Sequence, residues 1–151
     1  MSGTRRAIVG SDHAGVELRQ ALAARLAEAG FDVKDAGPPP GQSVDYPDLA
    51  GVVAAAVGGG EAELGLLVCG TGIGMSIAAN KVSGVRAALV HDPFTARMAS
   101  EHNDANVVCF GARVTGSDLA MAALDAFLAS SPSDAERHQR RREKIGALEG
   151  I

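Results

Sequence analysis

The stretch LGLLVCGTGIGMS, residues 64–76, decides the fold. It begins with an apolar run, Leu64 to Cys69, and three glycines follow at the alternate positions Gly70, Gly72 and Gly74. A short apolar run bounded by glycine is typical of a strand buried on both faces, and the glycines predict a tight turn into a helix near MSIAANKV. The stretch therefore predicts a strand, a loop and a helix, with a cysteine where the strand meets the loop.

The rest of the chain repeats this alternation of strand and helix. The predicted strands cover Ala7–Gly10, FDVKDAG, LGLLVC, VRAALV and NVVCFG, and the predicted helices cover GVELRQALAARLAEAG, Asp48–Val57, MSIAANKV, DPFTARMASEHN, SDLAMAALDAFLAS and SDAERHQRRREKIGALE. Strands that alternate with helices of this length are typical of a parallel sheet covered on both faces. We therefore expect one doubly wound, Rossmann-like α/β domain over residues 1–151, with a five-stranded parallel sheet and a C-terminal helix.

The composition narrows the class of function. The net charge is −4, which argues against a general nucleic-acid binder because such proteins need a basic surface. No uninterrupted run of eighteen apolar residues occurs, so we expect no membrane-spanning helix and no membrane partner. The two cysteines show no disulfide-framework spacing, and the reducing cytoplasm is the expected compartment.

Ligands of open parallel sheets bind beyond the carboxyl ends of the strands. Here those ends carry SDHAG, CGTGIGMS, HDP and GAR. The glycine loop does not fit a P-loop, which needs Lys before Ser or Thr, because Met75 precedes Ser76. What remains is a set of backbone N–H groups that could stabilise an anion and lower the pKa of Cys69. The alternative, with about equal weight, is that Cys69 is a buried strand residue and that the glycines only permit the turn.

For each of the other polar residues taken alone, the sequence favours a structural interpretation. Asp12 could cap a helix, with His13 exposed, or both could line the same cleft as Cys69. His102 and Asn103 are favoured at the end of a helix in any case. No spacing of His and Cys suggests a metal site, and Cys109 is interpreted as a core residue.

A cluster of arginines lies in the last predicted helix. Arg137 and Arg141 are four residues apart and so share one helix face, and Arg113 follows the fifth predicted strand. The cluster is either a solvated helix face or a clamp for a phosphate group, for which the forked donors of arginine are well suited.

These segments together resemble a known family. GSDHAG, DYP, CGTGIGMSIAANK, GVRA, EHNDANV, FGARV and RHQRR occur in the order and spacing of the type B ribose-5-phosphate isomerases, and the chain also resembles the related galactose-6-phosphate isomerase subunits. The resemblance covers about Ala7 to Leu148. It implies an aldose–ketose isomerase that acts on a sugar phosphate through a cis-enediolate, with no metal or other cofactor.

The resemblance also implies roles for individual residues. The implied catalytic residues are Cys69 as the base, Thr71 as its helper, His102 as the group that opens the furanose ring, and Asp12 as the partner of His102. The implied substrate-binding residues are His13, Tyr46, Gly70, Gly72, Gly74, Asn103, Arg113, Arg137 and Arg141. Some family members use a Glu at the position of Met75 instead of the cysteine, so the assignment of the base to Cys69 is consistent.

The family's site lies between the subunits of a homodimer, which implies that His102 and Arg113 serve the Cys69 of a neighbouring chain, in a dimer or a dimer of dimers. Two alternatives stay open. One is an isomerase of another sugar phosphate, such as allose 6-phosphate, galactose 6-phosphate or a tetrose phosphate. The other is a regulator that binds a sugar phosphate without chemistry.

Overall fold

A computed structural model of the chain describes residues 3–150, and one parallel sheet forms its centre. The strands are β1 (Arg6–Ser11), β2 (Asp32–Asp35), β3 (Leu64–Cys69), β4 (Ala87–Leu89) and β5 (Val107–Gly111). The helices are α1 (Val16–Glu28), α2 (Tyr46–Gly58), α3 (Ile73–Ala79), α4 (Pro93–Glu101), α5 (Ser117–Leu128) and α6 (Glu136–Ala147), and a 3₁₀ turn follows at Leu148–Gly150.

The strand order is β2–β1–β3–β5–β4, and all neighbouring strands run parallel. This arrangement confirms the predicted α/β class and the five-stranded sheet. The central strand β3 is buried at every position, as its unbroken apolar run predicts.

Helices cover both faces of the sheet, so each face has its own apolar core. On one face α1, α4 and α5 pack against Val9, Leu66, Val68 and Phe110. On the other face α2 and α3 pack against the alternate strand residues, which include Leu67 and Cys69. The alternation of side chains along a strand therefore points the side chain of Cys69 to the face that carries α3, the helix opened by the glycine loop.

Two elements differ from their predicted extents for reasons that the structure shows. The strand predicted over VRAALV is only Ala87–Leu89, because β4 is an edge strand that pairs with β5 alone. Helix α3 begins at Ile73 and ends at Ala79, earlier than MSIAANKV suggests. The reason is Asn80, whose side-chain amide donates to the carbonyls of Ser76 and Ala87, both at 2.9 Å, and so ends the helix against β4.

Helix α6 packs differently from the others. His138 is its one buried residue. Among the described helices, none is both long enough and apolar enough to cross a membrane.

Candidate active site

Cys69 is the last residue of β3 and lies directly under the glycine loop. Its side chain is buried, with the residue 4% exposed, and its Sγ accepts a hydrogen bond from the amide of Gly72 at 3.1 Å. Gly72 has φ of +78°, and a Cβ there would lie 2.5 Å from Cδ1 of Leu89. Only glycine permits this turn, so the loop sequence holds an amide donor against the sulfur atom.

The amides of the loop divide into two groups. Gly72 donates to Cys69, and Ile73 donates to Oγ1 of Thr71 at 3.2 Å. Within residues 3–150, the amides of Gly70, Thr71 and Gly74 have no hydrogen-bond acceptor. These three donors are available to a ligand, which is fewer than the full set from Gly70 to Gly74 that the resemblance implies.

Asp12 and His13 follow β1, the strand beside β3. The amide of Asp12 donates to the carbonyl of Val68 at 3.1 Å, so this loop is fixed next to the end of β3. Oδ1 of the buried Asp12 accepts hydrogen bonds from the amides of Ala14 and Gly15 at 2.9 and 3.2 Å. Asp12 therefore stabilises a turn before α1, whose N-cap is Gly15, and the simple helix-capping alternative is wrong. His13 is exposed.

Tyr46 and Arg113 lie against the glycines of the loop. A Cβ on Gly74 would come within 2.5 Å of the Tyr46 ring, and a Cβ on Gly70 would lie 3.2 Å from Nη1 of Arg113. The amide of Arg113 also donates to the carbonyl of Gly70 at 2.9 Å. Arg113 thus contacts the loop of its own chain, and the expectation that it serves a neighbouring Cys69 is wrong.

These residues form what we call the carboxyl-edge cluster. By carboxyl edge we mean the side of the sheet where the carboxyl ends of the strands lie. The members of the cluster are Asp12, His13, Tyr46, Cys69, Gly70, Thr71, Gly72, Gly74 and Arg113.

His102 and Asn103 lie at the opposite edge of the sheet. Helix α4 starts after the carboxyl end of β4 and runs back, so His102, its C-cap, is close to the amino ends of the strands. Asn106, three residues after Asn103, lies beside the start of β3, because its carbonyl accepts a hydrogen bond from the amide of Gly65 at 2.9 Å. Cys69 is four residues further along the strand, a distance of about 13 Å.

Helix α6 is attached at the same edge. Arg142 donates to the carbonyls of His102 and Ser133 at 3.2 and 2.9 Å, and the ring of His138 stacks on the ring of His102 with centroids 4.1 Å apart. Arg137 and Arg141 are exposed and form no ion pair within the described residues. We call this set the amino-edge cluster: His102, Asn103, Arg137, His138 and Arg141.

The structure thus brings the predicted residues together in two sets. Within one chain, the amino-edge cluster does not meet Cys69, and a site that uses both clusters has to be built from two chains. His138 is the member for which the sequence predicts no role. Its only signal is a histidine within a run of arginines, and its burial depends on packing against α4.

The two cysteines differ in environment. Burial raises the pKa of the Cys109 thiol well above its usual range, and the nearby Cys69 adds to this effect. Cys109 is therefore a protonated core residue, as predicted. Met75 is also fully buried in the core below the loop. Within residues 3–150, no three His, Cys, Asp or Glu side chains are close enough to hold a metal ion.

Comparison with known proteins decides the family. The family model described as Ribose/Galactose Isomerase matches residues 7–145. The chain belongs to this family. Ribose-5-phosphate isomerase B of Escherichia coli is 46% identical over 93% of this chain and 93% of the relative. The type B ribose 5-phosphate isomerase of Trypanosoma cruzi has a TM-score of 0.94 at 49% identity, covering 98% of both chains.

One further relative of the family has another substrate in its name. The D-erythrulose-4-phosphate isomerase of Pectobacterium atrosepticum is 42% identical over 80% of this chain and 80% of the relative. The relatives of this chain therefore include proteins named for sugars of different length.

Proposed function

We propose that this protein is an aldose–ketose isomerase that interconverts ribose 5-phosphate and ribulose 5-phosphate. One observation supports the proposal most: Cys69 lies under a loop in which three amides, those of Gly70, Thr71 and Gly74, have no acceptor among the described residues. That arrangement suits a reaction in which a thiolate removes a proton from carbon and a negative oxygen forms next to it. The similarity to named ribose-5-phosphate isomerases supports the choice of sugar.

Ring opening is the first step, because ribose 5-phosphate is a closed furanose in most of its population. The carboxylate of Asp12 takes the proton from oxygen 1, and the bond between carbon 1 and the ring oxygen breaks. The protonated imidazole of His102 gives its proton to the ring oxygen. The products are an aldehyde at carbon 1 and a hydroxyl group at carbon 4.

Isomerisation follows on the open chain. The Cys69 thiolate takes the proton from carbon 2, and the electron pair forms an enediolate with its charge on oxygen 1. The hydroxyl proton moves from oxygen 2 to oxygen 1 with the help of Thr71, and Cys69 returns a proton to carbon 1. General base action contributes roughly 10²- to 10⁴-fold, and each preorganised amide contributes a few kcal/mol.

The charged residues at the two edges suit a phosphate group. His13 and Arg113 belong to the carboxyl-edge cluster, whereas Arg137 and Arg141 extend from α6 without a carboxylate partner among the described residues. Held between them, the phosphate would orient the sugar so that binding energy serves catalysis. In this scheme Tyr46 and Asn103 contact the sugar.

The proposal requires a homodimer in which each site takes one cluster from each chain. Exposed apolar side chains support this assembly, because Ile73 and Ile77 follow the glycine loop and Phe94, Ile145 and Leu148 surround a cleft of about 640 Å³. That cleft also includes Asn103 of the amino-edge cluster. We infer that a second copy of this chain covers these surfaces. Helix α6 buries only one residue against its own chain, so most of its surface is free to contact that copy.

The experiment is ribose 5-phosphate with the purified protein in D₂O, with EDTA present and no added metal, followed by NMR. The expected result is ribulose 5-phosphate that carries deuterium at carbon 1. If neither ribulose 5-phosphate nor deuterium exchange is observed, ribose 5-phosphate is rejected as the substrate. Binding of ribose 5-phosphate without exchange would favour the sugar-phosphate-binding regulator instead.

A second candidate is an isomerase of a shorter sugar phosphate, which the similarity to the D-erythrulose-4-phosphate isomerase favours. The same assay with erythrose 4-phosphate, allose 6-phosphate and galactose 6-phosphate separates the candidates. The substrate is the sugar with the highest kcat/KM.

A further inference from the structure

His138 has no part in the reaction described above, yet it is the residue of the amino-edge cluster that is most firmly packed. Its ring lies 4.1 Å from the ring of His102, centroid to centroid, and the two planes are within 13° of parallel. His138 is 6% exposed and is the one buried residue of α6. The one buried residue of α6 therefore contacts His102, the histidine that we propose opens the sugar ring.

The backbone around the stack is also fixed. The amide of Ser133 donates to the carbonyl of Glu101 at 2.8 Å, and Arg142 joins the carbonyls of His102 and Ser133. The amide of His102 itself donates to the carbonyl of Met98 at 2.9 Å. These bonds set the position of α6 relative to the end of α4, so the two imidazole rings meet in one defined arrangement.

The electrostatic surroundings favour the neutral form of His138. Burial lowers its pKa, and the neighbouring charges of His102, Arg137, Arg141 and Arg142 lower it further. A neutral ring can lie face to face with His102 without repulsion, whichever protonation state His102 has. Within residues 3–150, the His138 ring makes no hydrogen bond, so the flat face is its means of contact.

We propose that His138 is a positioning residue that holds the His102 imidazole, by ring stacking, in the orientation that delivers a proton to the furanose ring oxygen. The inference rests on the proposed function, because it takes His102 as the ring-opening group. It assigns His138 no contact with the substrate.

The chemistry of the two sugars separates this role from general support of the site. Ribose 5-phosphate has to be opened before its proton can be moved. Ribulose 5-phosphate has no closed form to open, because its oxygen 5 carries the phosphate and cannot attack carbon 2. Exchange of the protons on carbon 1 of ribulose 5-phosphate therefore needs Cys69 and the loop amides but no ring opening.

The test compares His138→Ala, His138→Asn and His138→Phe with the unchanged protein. One measurement is the initial rate on ribose 5-phosphate, and the other is deuterium exchange at carbon 1 of ribulose 5-phosphate in D₂O. The Ala and Asn variants are expected to lose roughly 10²-fold in the first rate, as a misplaced catalytic group does, and to keep the exchange rate. His138→Phe keeps a flat ring and is expected to recover most of the first rate.

His102→Asn is the reference variant, and the same loss of the first rate with retained exchange is expected for it. Equal losses of both rates in the Ala and Asn variants would overturn the inference, since His138 would then only support the fold. Unchanged rates in both, or no recovery by His138→Phe, would also overturn it. If His102→Asn itself loses both rates equally, the role given to His102 is wrong and the proposed function needs revision first.

Discussion

The two thiols of the chain lie close to each other but differ in their surroundings. Cys69 and Cys109 lie on the adjacent strands β3 and β5, and both are buried. Cys69 is at the strand end and has an amide directed at its sulfur atom, whereas Cys109 is inside the strand with a raised pKa. Position along the strand therefore distinguishes Cys69, the proposed base, from the core residue Cys109.

Replacement of Cys69 tests this distinction. Cys69→Ala is expected to lower the isomerisation rate by at least roughly 10²- to 10⁴-fold, because the base is removed. Binding of ribose 5-phosphate, measured by calorimetry, is expected to change little. Cys109→Ala is the matched control and is expected to keep the rate. Near-normal turnover by Cys69→Ala would reject the assignment of the base.

Gly72 is a second residue whose environment gives a sharp expectation. A Cβ would be 2.5 Å from Leu89 and 2.9 Å from the backbone of Phe110, at a φ of +78°. Gly72→Ala is expected to lower the free energy of unfolding by at least about 2 kcal/mol, through backbone strain and overlap. Urea unfolding of the variant and of the unchanged protein measures this difference in the free energy of unfolding.

The control is Gly51→Ala within α2, where a Cβ would meet nothing within 4 Å. Helix propensity predicts a gain of up to about 1 kcal/mol there. Equal stability of Gly72→Ala and the unchanged protein would show that the loop can adopt another conformation.

Among single residues, the sequence predicts those that follow strands and misses those defined by tertiary contact. Cys69 ends an apolar run, and Asp12 comes two residues after the predicted strand Ala7–Gly10, so their place at the carboxyl ends of the strands is predictable. The own-chain contact of Arg113 with Gly70 and the stack of His138 on His102 depend on how loops and helices pack. No local pattern encodes either contact.

At the level of elements, a buried arginine ties α1 to the loops beside the site. Arg19 is 2% exposed, donates to Oγ of Ser11 at 2.6 Å and to the carbonyl of Pro38 at 2.8 Å, and lies 3.2 Å from Asp35. Ser11 immediately precedes Asp12, so this side chain supports the carboxyl-edge cluster from below.

Removal of these bonds is expected to weaken the fold. Arg19→Met fills similar space but leaves Ser11 and the carbonyl of Pro38 without donors, and we expect a loss of about 3 kcal/mol in the free energy of unfolding. Arg97→Met on α4 is the control, because its pair with Glu101 is exposed and is worth less than about 1 kcal/mol. Similar losses in both variants would show that the buried bonds contribute nothing special.

Elements were predictable where burial alone determines them. The bounds of β3 match the prediction because an apolar run in the centre of a sheet has one interpretation. The bounds of β4 and α3 do not match, since an edge position and the side chain of Asn80 limit them. The extent of α6 is close to its prediction, but its attachment through one histidine was not visible in the sequence.

At the scale of the whole molecule, the sheet itself separates the two clusters. The two clusters lie at opposite ends of the strands, and the strand length between them is about 13 Å. A dimer that joins unlike edges contains two sites, each with residues from both chains.

Mixing of inactive variants tests this arrangement. Cys69→Ala and His102→Asn damage different clusters, so hybrid dimers formed by unfolding and refolding them together contain one intact site. We expect about a quarter of the normal activity on ribose 5-phosphate, since half of the dimers are hybrid and half of their sites are intact. Cys69→Ala mixed with Asp12→Asn damages one cluster twice and is expected to regain nothing. No recovery in the first mixture would mean that the site lies within one chain.

The distance between the two edges of the sheet has a consequence for how the activity is measured. In the proposed dimer, a single chain holds every residue of the site but does not bring the two clusters together. The specific activity should therefore fall when the protein is diluted, because the dimer dissociates. Excess substrate should reduce this loss, because substrate bound between two chains stabilises the dimer. On this proposal, the dissociation constant of the dimer sets the fraction of the protein that is active at a given concentration.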